Sequence, residues 1–570
     1  MKHLFILLIM LSCVVASWAV PAERIRVKVR LTDGSELLVT SFGDEFGSWF
    51  VADDGDIVEP AEGCPGLFVR SQRTVSELVH EQKNRRSVAR RIGSQATAPL
   101  PAKGSPVIPV VLVNFQDSVF SVGKTNEEIR AYYDLYCNGT MDGKRYTKHG
   151  SYGSVRDYFV AQSDSLFQPE FVVIGPVTLD NPVATYGRNN NTAKDLGYAT
   201  FRKEVIAQAV SMYNGDWSVF DNKGRGNGYV DMLFFIYAGC GENTVQENPD
   251  LIWPKESTSP ERVTLPSGQS ITISTFGCSP ENRPKRLTEN GPVISAAPDG
   301  IGVMCHELSH ALGLPDFYDT KEGGTNFGMD VWSLMDYGCY MSNSKCPVAY
   351  TAYERDFMGW RHLQEISEAG PYTLAPIASP EGVGLKIVNP ENQNEYYVLE
   401  ARLNSGWDTA LSSFGKGLQV THVDYNSSKW NGNSLNQDAK HQRMTIIAAN
   451  NNYNGSWVQG ANLRETWAGN LFPFEQNDSL TANSIPAATV YTDSKYMPHS
   501  LTQIKISEDA QHVSFMLDGH LYDAICDLSD GKDSGLYSTS GIFDLTGRRI
   551  ATTLRPGIYI RDGKKIYISK

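Results

Sequence analysis

Three things are scarce in this 570-residue chain: positive charge, cysteine and long apolar runs. Fifty-one Lys and Arg stand against 64 Asp and Glu, a net charge of −13. No basic footprint is available for a phosphate backbone, which excludes nucleic acid as a partner, and the acidity reads as solubility. Only nine cysteines occur. Disulfides are therefore optional in so large a chain, and Cys339 with Cys346 is the only pair whose spacing suggests a local loop. Beyond the first twenty residues no apolar run is long enough for a stable membrane span. No internal repeat of 20–50 residues is visible, which excludes a solenoid or propeller. What is present is ordinary globular composition, 41% hydrophobic and 20% charged. That length exceeds one hydrophobic core and implies two to four domains.

The amino terminus has the layout of a secretory signal peptide. Lys2 and His3 precede apolar residues from Leu4 to Leu11, continued by Val14, Val15 and Ala16. Ser17 and Ala19 are the small residues of a cleavage site, so residues 1–19 read as a leader and the remainder as an exported, soluble chain. Cys13 as a lipidation site is the weaker reading, because the apolar stretch continues past it. Eight cysteines then remain, an even count that permits bridges in an exported protein.

Four further regions follow. Residues 20–104 read as a strand-rich unit: Arg26 to Leu31 alternates, and Asp33-Gly34 and Asp54-Gly55 supply hairpin turns. It ends in the dibasic stretch Lys83–Arg91 and a Pro-bearing linker, the arrangement of a propeptide with a processing site; a permanent N-terminal domain is the competing reading. Residues 105–362 mix buried strands, Pro109–Phe115 and Val230–Ala238, with helical patterns. Phe201, Val205, Ala209 and Met212 mark one face of a helix over 199–213. Residues 363–520 turn to short alternating runs with Gly/Asn-rich turns, a β-rich, sandwich-like region. Residues 521–570 are a polar linker and a short strand segment. The fold class is α+β.

The chemistry concentrates in Gly302–Asp316, GVMCHELSHALGLPD. Residues four apart on a helix lie on one face, so His306 and His310 can offer two imidazole nitrogens to one ion at about 2.0–2.1 Å, the Zn–N distance. Glu307 sits near that face, where a carboxylate can hold a water and take its proton. Asp299 is a candidate cap for a helix running from about 300 to 312. Gly313 permits a sharp turn that returns Asp316 as third ligand, leaving a fourth position open. HExxH alone fixes three positions and arises by chance; Gly313 and Asp316 at the proper offsets narrow the coincidence. About twenty residues past Asp316, Met335 stands in Ser333-Leu334-Met335-Asp336-Tyr337, the place of a hydrophobic base beneath such a metal. Tyr337 is a candidate donor to a developing oxyanion, against simple packing.

These stretches resemble the immune inhibitor A family of secreted metallopeptidases, within the metzincin-like group. The resemblance is carried by HELSHALGLPDFYD, by WSLMDYG at 332–338, by FDNKGRGNGYVDMLFFIYAGCGE at 220–242 and by YERDFMGW at 353–360. In the β-rich region it adds GWD at 406–408 and HVDY at 422–425. It implies His306 and His310 as zinc ligands, Glu307 as base and peptide bonds of proteins or peptides as substrates. Two departures stand out. Phe317 replaces the acidic residue often found after the LPD, leaving Asp316 favoured as third ligand and Asp319 in reserve. Asp221, Asn227 and Asp231 offer a calcium-type loop, yet Lys223 and Arg225 fall where such loops want oxygen ligands, and a glycine-rich hairpin is the stronger reading. His422 and Asp424 are read as structural. The tail from Phe543 resembles short terminal segments of exported bacterial proteins, some of them type IX sorting signals; a structural hairpin competes. The expectation is a monomeric secreted zinc endopeptidase made as a proenzyme. Its rivals are a binding protein with a structural metal, or hydrolysis of another amide or ester.

Overall fold

The computed structural model describes residues 16–73, 97–139 and 149–519 and, as strands only, parts of 542–568. Short gaps fall at 19, 24, 45–46, 62–63, 65, 191–192, 227, 246, 287–292, 322–323 and 455–462. The leader's apolar run and the dibasic stretch at 83–91 lie outside the described residues.

After a short strand β1 (Ala16–Trp18) the chain forms a closed five-stranded barrel, β2 (Arg26–Leu31), β3 (Glu36–Asp44), β4 (Gly47–Ala52), β5 (Ile57–Pro60) and β6 (Leu67–Arg70). The alternation of β2 turns Val27 and Val29 into the barrel and Lys28 and Arg30 out. Gly34 and Gly55 take φ of +86° and +91° at the two DG turns, a region costly for other L-residues.

The central layer is a sheet built on β7 (Val107–Asn114), β8 (Glu170–Thr178), β9 (Tyr229–Cys240), β10 (Lys255–Thr264), β11 (Ser270–Arg286) and β12 (Val293–Pro298). Its order is β1-β10-β11-β9-β7-β8, with β12 added to β11. β11, β9, β7 and β8 run parallel, while β10 is antiparallel to β11. Parallel strands must be covered on both faces, which is why β7 and β9 are apolar almost throughout. Val110 and Leu112 face one core with Phe234 and Ile236, and Val111 and Val113 face another with Phe235. The second core is closed by helix α1 (Tyr198–Met212) through Phe201, Val205 and Ala209. Met212, expected on that face, is 47% exposed, because it is the final residue of the helix and the enclosed face stops at Val210.

The first core is closed by the motif helix α2 (Gly302–Ala311), buried along its whole length. Asp299 does not cap it. Ile301 is the N-cap, and the Asp299 carboxylate instead accepts from Gly300 N and pairs with Arg283. Phe42, Trp49 and Ile57 of the barrel join the same apolar cluster, so the barrel is packed onto this face.

Downstream, a five-stranded sheet and a three-stranded sheet between residues 364 and 517 share one apolar cluster that includes Leu399, Val420, Ile504 and Phe515. A separate three-stranded sheet contains Ile542–Phe543, Gly557–Arg561 and Lys564–Ile568. No helix among the described residues is long and apolar enough to cross a membrane. All seven described cysteines after the leader are free thiols. Cys339 and Cys346 are thus not bridged; both are buried, and Cys346 Sγ points at the Trp407 carbonyl.

Candidate metal centre

One turn of α2 separates His306 from His310, and Gly313, at φ +104°, reverses the chain directly after it. The turn is closed by Gly313 N to His310 O (2.9 Å) and Leu314 N to Ser309 O (3.1 Å). It delivers Asp316 to the histidines: its Oδ1 is 3.2 Å from Nε2 of His306 and 3.2 Å from Nε2 of His310, whose two nitrogens are 3.1 Å apart. All three side chains are fully buried. A tetrahedral ion holding ligands at about 2.0–2.1 Å spaces neighbouring donors by roughly 3.3–3.4 Å, so the triangle fits zinc closely. It is the one group of three such donors found among the described residues. Asp319 stays out; its carboxylate accepts from Lys321 N and Asn326 N.

The second nitrogen of each ring is spoken for. His306 Nδ1 meets Leu334 O at 2.8 Å, and His310 Nδ1 meets Leu314 O at 2.8 Å. Carbonyls only accept, so Nδ1 carries the proton and Nε2 keeps its lone pair toward the centre. Leu334 belongs to the turn in which Asp336 N and Gly338 N donate to Ser333 O, with buried Met335 between them. Asp316 is held from the far side by Asn433, whose Nδ2 donates to Oδ2 (2.5 Å) and whose Oδ1 accepts Asp316 N–H (2.8 Å).

Charge is divided unevenly in this buried pocket. Burial lowers the pKa of His306, favouring the neutral ligand form. Burial acts the same way on His310, but the Asp316 carboxylate outweighs it and pushes that pKa up to about 9. Asp316 stays below the usual carboxylate range despite burial, because both imidazoles face it.

Glu307 is fully buried, and burial pushes its carboxyl well above the ordinary value. One oxygen accepts the backbone N–H of Val20 at 3.0 Å; the other has no hydrogen-bond partner. Val20 belongs to the segment entering the barrel. Upstream of it, β1 pairs antiparallel with β10, Trp18 opposite Glu256 and Ala16 opposite Thr258. Within it, three consecutive carbonyls are each held by a ring donor. Trp253 Nε1 reaches Val20 O (3.1 Å), the Tyr340 hydroxyl reaches Pro21 O (2.7 Å) and the Tyr337 hydroxyl reaches Ala22 O (2.5 Å). Tyr337 therefore lines the cleft, its hydroxyl on a peptide two residues along from Val20.

Asp221 accepts from Arg225 N and Gly226 N, and Asp231 accepts from Lys223 N and pairs with Arg225. The buried Asp231 Oδ1 has the Arg225 guanidinium 3.3 Å away but no hydrogen bond, and Asn227 lies outside the described residues. His422 meets Glu395 at 2.9 Å and stacks on Tyr491, and Asp424 pairs with His441 and Arg443. Both sit in a polar lattice of the β-rich region.

Sequence reasoning missed Asn433, Trp253, Tyr340 and the peptide formed by Val20–Ala22. Asn433 stands 117 residues from the carboxylate it holds, and nothing in local spacing points to it.

Comparison with known proteins gives a peptidase family match over part of the chain. Residues 102–363 match the family described as immune inhibitor A peptidase M6, catalytic domain. The chain is 24% identical over 280 residues to the pre-pro-metalloprotease PrtV of Vibrio cholerae serotype O1, covering 45% of this chain and 30% of that protein. It is 23% identical over 236 residues to immune inhibitor A of Bacillus thuringiensis subsp. alesti, covering 37% and 33%. The chain thus spans about a third of the length of these curated relatives.

Proposed function

We propose that the chain is an exported zinc endopeptidase of the immune inhibitor A peptidase M6 type, whose catalytic-domain family residues 102–363 match, made as a latent precursor. The observation that carries the reading is Glu307. Its carboxyl group interacts electrostatically with His310 and Asp316 of the triangle and accepts the backbone N–H of Val20.

A zinc ion held by these three residues supplies Lewis acidity toward a water and the scissile carbonyl. The protein supplies the rest. Glu307 takes the proton of the attacking water on a carboxylate oxygen and passes it to the leaving amide nitrogen, the position Val20 N occupies in this structure. A raised pKa suits a carboxylate that must hold a proton between those two events. Edge strand β10 offers backbone groups to the substrate on the acyl side, as it does to β1. Trp253, Tyr340 and Tyr337 hold the carbonyls of the leaving side.

The same contacts support latency. Val20, Pro21 and Ala22 are buried in the cleft, and Ala22 N donates to Gly43 O of the barrel (2.9 Å), so the barrel holds the segment where substrate must lie. Cleavage of the leader after Ala19 turns the Val20 N–H into an α-ammonium facing Glu307, which strengthens the block by charge.

The test is casein hydrolysis by the processed protein, with and without chelator, beside Glu307→Ala. The variant should keep one zinc per chain and lose at least about 10³-fold in kcat, the order expected for removing a general base. Equal proteolysis by both forms would refute the role of Glu307.

A further inference from the structure

The segment crossing the cleft also shows what the leaving side recognises. Val20, Pro21 and Ala22 are buried, and their carbonyls are read by Trp253, Tyr340 and Tyr337. A backbone carbonyl is common to every residue, so these three donors hold an extended chain without choosing its sequence. Selection begins at the next residue. Glu23 gives its N–H to Asn243 O (2.9 Å) and its carboxylate to Arg283, Nη2 to Oε1 at 2.5 Å, with side chains only 12% and 19% exposed.

We propose that Arg283 is a specificity-determining residue that favours an acidic side chain at the fourth position after the scissile bond of a substrate. The proposal rests on the peptidase reading above, with Val20 N marking the leaving nitrogen. The first three leaving-side positions are enclosed and take aliphatic or small residues; the fourth is open enough to accept a long polar one.

The recognising groups are held by the protein itself. Asn243 Nδ2 donates to the Tyr340 hydroxyl (3.0 Å), which aims that O–H at the peptide. Lys194 Nζ lies 3.8 Å from the Trp253 ring centroid and fixes its far face. Arg283 Nη1 is anchored 3.4 Å from Asp299, leaving Nη2 directed to the cleft. A guanidinium held from behind loses little freedom when a carboxylate arrives, and at this exposure the pairing is only partly screened by water. Asp299 balances one positive charge, which limits the preference to about tenfold between opposite charges at the fourth position.

The test uses the processed wild-type enzyme and three quenched fluorescent peptides differing only at the fourth residue after a bond preceding Val-Pro-Ala: Glu, Gln or Lys. Mass spectrometry establishes that the bond before Val is cut. The expected order of kcat/KM is Glu, then Gln, then Lys, about tenfold from first to last, shrinking at high salt. Arg283→Glu should reverse the order, and because it leaves buried Asp299 without its partner it should melt several degrees below the wild type. The substrate comparison itself needs no variant to fold. Cleavage before Val with equal kcat/KM for Glu and Lys, or cleavage at a different bond, overturns the assignment to Arg283. Failure to cut either the peptides or casein overturns the peptidase reading, and this proposal with it.

Discussion

Replacing Asn433 by glycine isolates the support behind the metal triangle. Asn433 is 3% exposed and sits at φ +48°, a conformation glycine adopts without strain, so the backbone is preserved and only the side chain is lost. Two bonds disappear: the amide donor to Asp316 Oδ2 and the acceptor for Asp316 N–H. A hydrogen bond to a charged group contributes about 1.5–3 kcal/mol, and loss of an outer-shell partner typically costs 10–100-fold in metal affinity. Asp316 then has rotational freedom, and its carboxylate loses the side-chain donor that steadies Oδ2. Zinc affinity, measured by competition with a chromophoric chelator, should fall about 10–100-fold, and saturating zinc should restore most of the kcat. Asn433→Asp should be worse, because it sets a second carboxylate against the first. Zinc affinity of Asn433→Gly within twofold of wild type would refute the claim that the β-rich region orients the centre.

Other perturbations test separate parts of the argument. Deleting Val20–Glu23 with the barrel kept should give casein hydrolysis from the uncleaved chain, at least about tenfold above the intact precursor, since the barrier is occupancy of the cleft. Arg402 is fully buried between Glu400 (2.8 Å) and Asp408 (2.7 Å), so Arg402→Met strands two carboxylates. Calorimetry should show a loss of about 3–5 kcal/mol and roughly 10 °C in Tm. His149 is 8% exposed, and burial, with Lys345 nearby, lowers its pKa to about 4. Its folded value lies below the unfolded 6.5, so its neutral form stabilises the fold above pH 6.5, and that stability is lost as pH falls from 6.5 toward 4. At pH 5 the loss is about 2 kcal/mol, and His149→Phe should flatten the Tm profile over that window.

What was legible in the sequence was local. The helix carrying His306 and His310, the Gly313 reversal and the return of Asp316 depend on contacts within fifteen residues. Periodicity and one glycine suffice to specify them. The apolar runs of β7 and β9 were readable for a similar reason, since burial on both faces leaves no polar alternation. Asp299 misled because a capping residue can be claimed by another partner, here Arg283 from a strand sixteen residues earlier. Asn433, Trp253 and Tyr340 reach the cleft from three different segments, and their convergence exists only once those segments are packed. The zinc reading thus needed a dozen residues, whereas the cleft's recognition surface needed the whole fold.

The attachment of Val20–Ala22 to the barrel has a consequence in mass action. A peptide tethered a few residues from its docking point experiences an effective concentration on the order of millimolar. Weak individual contacts therefore suffice to keep the cleft filled while the chain is whole. Once the chain is severed beyond the barrel, the same contacts must compete with dilution into the surroundings. On the proposed latency, a plug of modest affinity would then drift away without a second cut, and the event would be irreversible because the tether does not re-form.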